Sequence, residues 1–277
     1  MTDLLTNADT EQISIPLVDY KSAAEKRRLE ILISQEMSDL FVSPECTDDP
    51  NILHNKNKFK EINLFNIDRP IVAGFMLTGI SELLGYEFLK INECGNLKLS
   101  EQDVVFGLPT LPDENAYFGI LSFEEHSLAY LLHGPSVRNK KKVSRKIRKQ
   151  TFTYSSELEH GKFEGNIRNL NERALNEENL SNYFKSLAYE EDGFIPHTFL
   201  AASTISRTLW QLKDEVNSRA GLYTDLNIKY FRAAEDYELG YNLITIIEPL
   251  NEQFKVSTMN EDNEILVQAK TTIKFIN

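Results

Sequence analysis

The chain repeats itself. "IVAGFMLTGISELL" lies against "HTFLAASTISRTL" with a shift of 124 or 125 residues, so that Ile80-Ser81 falls on Ile205-Ser206. The same shift carries "DVVFGLPTLPDENAYFGI" onto "IKYFRAAEDYELGYNLI", with Phe106 on Phe231, and "VSRKIRKQ" onto "QAKTTIKF". Matches among apolar residues arise easily, so the identities count for little. A helix, a gap and a strand ladder that keep register over two stretches of chain constrain the fold far more, because each copy must form the same unit.

Each copy reads as a strand, one long helix rich in small residues, and four strands. Pro70 opens the first helix, 70–87, and the second runs over 197–213. The first ladder is "DVVFGL", "AYFGILSF", "HSLAYLLHG" and "KVSRKIRKQTFTYS"; the second is "TDLNIKYFRA", "ELGYNLITII", "EQFKVSTM" and "ILVQAKTTIKFI". All are rich in β-branched and aromatic residues and bounded by turn residues. The leading strands are "KFKEINLFNI" and "LSNYFKSLAY". Residues 21–41 place Leu29, Leu32 or Ile33, Met37 and Leu40 at helical spacing, an amphipathic helix, and 42–58 read as a loop. The organisation is therefore 1–58 N-terminal helix and loop, 59–154 first repeat, 155–179 polar connector, and 180–277 second repeat.

Composition excludes several classes. With 41% hydrophobic and 26% charged residues the 277-residue chain is globular, and no apolar run spans a membrane. Its polar, acidic start is neither a signal nor a transit peptide. Cys46 and Cys94 stand far apart, which points to a cytoplasmic protein without a thiolate metal site. A net charge of −12 disfavours nucleic acid and anionic membranes. Against that charge, "RNKKKVSRKIRK" (138–149) holds eight basic residues and no acid, leaving 22 basic against 42 acidic residues elsewhere. It is either a solvated hairpin or, through Lys140, Lys141, Lys142 and Arg145, a landing site for an acidic partner or coenzyme phosphates.

The order of elements resembles the hot-dog fold, in which an antiparallel sheet wraps a central helix. "HTFLAASTI" is similar to its "HGGVLAAL" helix entrance. "DLNIKYFRAAEDYELGYNLI" is similar to the "VDLSIRFLRPARPGDRLTA" stretch of its thioesterases, and "RPIVAGFMLTGISELLG" to "PIVHGMLTASLISRLLG" of the MaoC-like dehydratase branch. The resemblance implies an α+β double hot-dog: two antiparallel sheets, each wrapped around a long central helix, joined edge to edge, plus the N-terminal helix. It further implies an acyl-thioester enzyme, thioesterase or 3-hydroxyacyl dehydratase, acting on acyl-CoA or acyl carrier protein. No cofactor beyond the substrate's CoA or phosphopantetheine is expected, and the chain is a pseudo-dimeric monomer or a homodimer. Two alternatives share the architecture: an acyltransferase/decarboxylase of polyketide type, and a double hot-dog that binds acyl chains or carriers without catalysis.

In the thioesterase branch a His-Gly at the helix entrance offers an amide to the thioester carbonyl, and an acid nine residues on, from the partner helix, does the chemistry. The first copy has Ala73-Gly74 and then Glu82; the second has His197-Thr198 and then Ser206. Crossed over, they make one composite site: His197 and the Thr198 amide with Glu82, which in an apolar groove has a raised pKa and serves as acid or base. Gly74 with Ser206 lacks both His and acid. The plainer reading makes His197 a helix cap or a partner of a loop carbonyl, and Glu82 a solvated helix residue. The MaoC-like "D-x-N-P-x-H" motif is shadowed by "DGFIPH", where Asp192 and His197 keep the spacing without the Asn; Asp192 is thereby a substrate-binding candidate. The histidines of "HSLAYLLH", His126 and His133, fall on opposite faces of a strand and share no metal.

If the basic segment steers a carrier protein, replacing Lys140, Lys141 and Lys142 by Ser slows association and flattens its salt dependence. Turnover of a short pantetheine thioester stays the same; association unchanged for every acidic carrier leaves only the solvated hairpin.

Overall fold

The structure, a computed structural model, describes residues 15–61, 69–107, 109–138, 141–164, 171–206, 220–232, 239–250 and 253–276. Five helices and eleven strands are described: α1 (Tyr20–Glu25), β1 (Arg28–Ile33), α2 (Gln35–Val42), α3 (Gly74–Ile91), β2 (Lys98–Phe106), β3 (Glu114–Glu124), β4 (Ser127–Arg138), β5 (Lys141–Ser155), β6 (Gly161–Lys162), β7 (Asn171–Ala174), α4 (Glu177–Ser186), α5 (His197–Ala201), β8 (Ala220–Tyr230), β9 (Asn242–Leu250), β10 (Gln253–Met259) and β11 (Glu264–Ile276). A π-helical stretch, Ala202–Ser206, continues α5.

All strands join one antiparallel sheet in the order β1-β3-β4-β5-β2-β8-β11-β10-β9-β7, with β6 on β11. The order is a palindrome: β2, β3, β4, β5 and β1 of the first half answer to β8, β9, β10, β11 and β7 of the second. The halves meet at β2 and β8, where Asp103 faces Asn227, 124 residues further on. Each strand thus meets its own repeat at the joint, and two sheet edges that would stand open cover each other. Side chains reinforce it: the Asn227 amide donates to Asp103 at 2.8 Å and to Glu101 at 2.6 Å.

α3 forms because "GFMLTGISELLGYEFLKI" is apolar on every face, and 14 of its 18 residues are buried, as a core helix requires. Its end is set by Asn92, whose side chain bonds the Phe88 carbonyl, and by Glu93 at φ 58°. Two glycines let the sheet and α4 approach it. A Cβ on Gly85 would lie 2.0 Å from the Tyr130 hydroxyl, and one on Gly79 2.4 Å from that of Tyr183.

Three sequence expectations are corrected. The N-terminal helix over 21–41 is helix, strand, helix: Arg27 takes φ 51°, and "RLEILI" then alternates exposed and buried, so it pairs with β3 as an edge strand. Of the two alternatives for that position, Ile33 is buried and Leu32 exposed. The strand expected at "LSNYFKSLAY" is α4, with Leu180, Tyr183 and Phe184 buried at helical spacing behind an Asn176–Asn179 capping box. Where "KFKEINLFNI" was expected to be a strand, Phe59–Glu61 is a 3-10 turn and 62–68 fall outside the described residues. The connector holds β6 and β7, and the stretch of the second helix beyond residue 206 also falls outside the described residues.

The edge strand and short helix precede the central helix in both halves, and α2 lies against α4, Phe41 to Tyr183 at 5.6 Å between rings. From α2 to α3 run 31 residues, but from α4 to α5 only 10. The first half therefore carries an insertion of about twenty residues immediately before its central helix.

Gly85→Ala should destabilise the protein by about 1–3 kcal/mol in denaturant unfolding, although Ala favours a helix over Gly. Adding Tyr130→Phe should recover part of the loss; equal stability of Gly85→Ala and wild type would show that the hydroxyl does not need the gap.

Candidate active site

α5 begins at Pro196, which offers no side-chain cap, so its first N–H groups need another acceptor. They find it on the opposite half. The His197 amide donates to Glu82 Oε1 and the Thr198 amide to Glu82 Oε2, both at 2.8 Å; Thr198 Oγ1 lies 2.5 Å from Oε2 and His197 Nδ1 3.1 Å from Oε1. Because the Thr198 proton is spent on the carboxylate, the Tyr183 hydroxyl donates to Thr198 Oγ1, at 2.7 Å. The cluster is fully buried. Burial first, and then the charge of Glu82, hold the hydroxyls of Tyr154 and Tyr183 well above the ordinary tyrosine range.

The structure thus brings Glu82, His197 and Thr198 together across the halves. Their arrangement differs from the one expected of a substrate site: Glu82 does not stand in an apolar groove but accepts from four donors, and the Thr198 amide is turned onto it. No described cavity is lined by either Glu82 or His197. Asp192 does not join them; it is exposed and pairs with Lys90 at 3.0 Å. Lys140 lies outside the described residues. Of Lys141, Lys142 and Arg145 only the backbone is described, paired in the β4–β5 hairpin with Arg138, Val137 and Gly134.

The equivalent place in the first half is different. There Gly74 opens α3, and the residue 124 positions after Glu82 is Ser206. The Ser206 hydroxyl donates to Asp49 Oδ2 at 2.8 Å, and Asp49 comes from the inserted loop. Asp49 Oδ1 accepts from the Asn51 amide at 2.9 Å, and Asn51 in turn caps the short turn Ile52–His54 and reaches the Gly221 carbonyl. His54 Nδ1 lies 2.8 Å from the Ile71 carbonyl, which can only accept, so Nδ1 carries the proton and Nε2 a lone pair. Nε2 faces Asn51 Nδ2 at 3.3 Å and Asp49 Oδ2 at 3.9 Å. These groups are buried, yet Asn51, His54, Gly74, Leu77, Phe106 and Tyr223 line an open cavity of about 90 Å³.

The loop is held by carbonyl acceptors. Arg173 of β7 donates to Thr47 O at 2.5 Å, Cys46 O at 2.9 Å and Pro44 O at 3.4 Å, and also to Ser203 O at 3.0 Å beside α5. Asn179 of α4 adds a bond to Glu45 O. Between them Cys46 is buried, and desolvation pushes its thiol up to about 12. Among the described residues no group of three or more His, Cys, Asp or Glu side chains is placed to hold a metal, and no described helix is long and apolar enough to cross a membrane.

No protein-family model matches the chain, and no curated protein matches it in sequence. Solved structures do. A MaoC-like dehydratase superposes with a TM-score of 0.58 at 9% identity, over 91% of this chain and 100% of that one. An acyl-ACP thioesterase from Bacteroides thetaiotaomicron gives 0.52 at 8%, over 91% and 99%, and the dehydratase domain of RzxB from Pseudomonas fluorescens 0.52 at 10%, over 76% and 86%. The chain has the hot-dog fold. At these identities the likeness speaks for the fold alone; the chemistry has to come from the residues.

The residues that the sequence analysis passed over have a signal of their own. "DPNILH", Asp49 to His54, meets the hot-dog dehydratase pattern D-x-N-P-x-H at Asp49, Asn51 and His54, with Ile52 in place of Pro. It lies in a polar stretch read as a loop, outside both repeats as they were delimited.

Glu82→Gln turns one acceptor into a donor facing buried donors, and should cost about 3 kcal/mol in denaturant unfolding. A loss below about 1 kcal/mol would show that the carboxylate does not hold α5.

Proposed function

We propose that this protein is a double hot-dog acyl-thioester enzyme of the dehydratase–hydratase type. It interconverts a 3-hydroxyacyl thioester with the 2-enoyl thioester and water, the acyl group being carried on CoA or an acyl carrier protein. The observation that carries this reading is the buried Asp49–Asn51–His54 set at the entrance of α3, of which Asn51 and His54 line a described cavity together with Gly74.

Dehydration needs a base for the proton on C2, an acid for the hydroxyl leaving C3, and stabilisation of the negative charge that the thioester oxygen gains between the two. His54 Nε2, with its lone pair fixed by the Nδ1 bond to Ile71 O, serves as the base. The Asp49 carboxyl hands its proton to the C3 hydroxyl; the C3–O bond breaks, the electron pair from C2 forms the double bond, and water leaves. Gly74 opens α3, so the positive end of the helix faces the thioester oxygen. Asn51 orients both partners, and Ser206, from the other half, positions Asp49. The basic segment 138–149 supports a carrier that bears phosphates or an acidic surface.

A second reading keeps the chemistry at His197 and Glu82, in a hydrolase. It is favoured by His197 Nε2, a buried nitrogen without a hydrogen-bond partner among the described residues. The two are separated by following both enoyl absorbance and free thiol with crotonyl-CoA and butanoyl-CoA. On the dehydratase reading crotonyl-CoA is hydrated without thiol release. Asp49→Asn and His54→Ala each lower kcat by roughly two orders of magnitude or more, the scale of acid–base catalysis. Thiol release abolished by His197→Ala, with Asp49→Asn fully active, would transfer the site to the second half.

A further inference from the structure

The cavity at Gly74 has a wall that its counterpart in the second half lacks. Phe106 ends β2 with its ring against α3: a Cβ on Gly74 would stand 2.5 Å from Phe106 Cε1. The ring stacks on Tyr223 of β8 at 5.6 Å between centroids and 27° between planes, and Tyr223 meets Phe75 edge-on at 6.0 Å. Phe106 and Tyr223 come from opposite halves across the β2–β8 joint, and both line the cavity. The repeat partner of Phe106, Phe231, is instead packed on Gly161 of β6 and lines none of the described cavities. The aromatic pair therefore belongs to the open site and is not a general element of the fold.

The cavity it leaves, about 90 Å³, is well below the roughly 300–1,000 Å³ of sites that enclose drug-sized ligands. We propose that Phe106, backed by Tyr223, is the residue that sets acyl length at this site, admitting a chain of about four carbons and rejecting longer ones. The inference rests on the dehydratase reading for the place of the acyl group, and it names the substrate class: short-chain 3-hydroxyacyl and 2-enoyl thioesters. Rings cannot be pushed aside at no cost, because Phe106 is held between the Cα of Gly74 and the Tyr223 ring. Each methylene beyond the wall must displace that contact.

Saturated thioesters, which cannot be hydrated, separate the wall from the chemistry. Binding of butanoyl-CoA and octanoyl-CoA is measured by calorimetry on the wild type, Phe106→Ala and Phe106→Trp. The wild type is expected to bind butanoyl-CoA more tightly. Phe106→Ala should shift the ratio toward octanoyl-CoA by about tenfold or more, and Phe106→Trp should shift it the other way. Two variants with opposite effects distinguish the wall from a general loss of folding. A wild type that binds octanoyl-CoA as well as butanoyl-CoA, or a ratio unmoved by either variant, overturns the proposal. Hydration of crotonyl-CoA with an unmoved ratio sinks the wall alone. The expected ratios without hydration sink the dehydratase reading alone.

Discussion

The two halves of this protein are tied by a carboxylate in the wrong half. Taking an ion out of water costs several kcal/mol even after relaxation, and the cost is met only if the ion finds donors in good geometry. Glu82 finds four, all on His197 and Thr198, and none belongs to its own helix. The bond set fixes α3 against α5 and caps the entrance of α5. The β2–β8 joint supplies area and register; Glu82 supplies a buried, four-donor contact between the central helices that only a correctly docked pair of halves can make.

The same geometry, used twice, gives two outcomes. At the second helix entrance the acid sits on the facing helix and fills the place where a ligand oxygen would be held. At the first, the facing residue is Ser206, too short to reach the helix end, and the acid comes from the inserted loop as Asp49. The loop places Asn51 and His54 on the wall of a described cavity at the entrance of α3, whereas no described cavity is lined by Glu82. Arg173 then has a plain physical purpose. A loop of about twenty extra residues has many conformations to lose, and a buried guanidinium bonded to three of its carbonyls, at Pro44, Cys46 and Thr47, pins its first residues to Ser203 of the other half.

How much of this was legible follows from where the signal is local. The ladder strands and α3 could be read because their periodicity and composition agree with their final environment, and the crossed pairing of Glu82 with His197 because the resemblance to the thioesterase branch, laid over the two copies, implies it. β1 was lost because Leu29, Met37 and Leu40 satisfy a helical period as well as "RLEILI" satisfies a strand's, and only the break at Arg27 decides between them. α4 was lost although Asn176 and Asn179 announce a helix start, because the repeat seemed to demand a strand there. Asp49, Asn51 and His54 were missed because the repeat ends where the insertion begins: a search that follows the duplication is blind to what only one copy carries.

The palindromic sheet also orders events in time. Every strand pairing of the first half lies within residues 28–155, so that half can assemble while the remainder is still being synthesised. Yet it emerges with Glu82 bare, since its donors are more than a hundred residues away, and with Asp49 lacking Ser206. The nascent first half is thus an ordered sheet around an unsatisfied charge, and its inserted loop gains its last support only when Ser206 and β8 arrive. The buried polar sites at both helix entrances are late properties of the whole, completed after the polypeptide is almost fully made and undone as soon as the halves part.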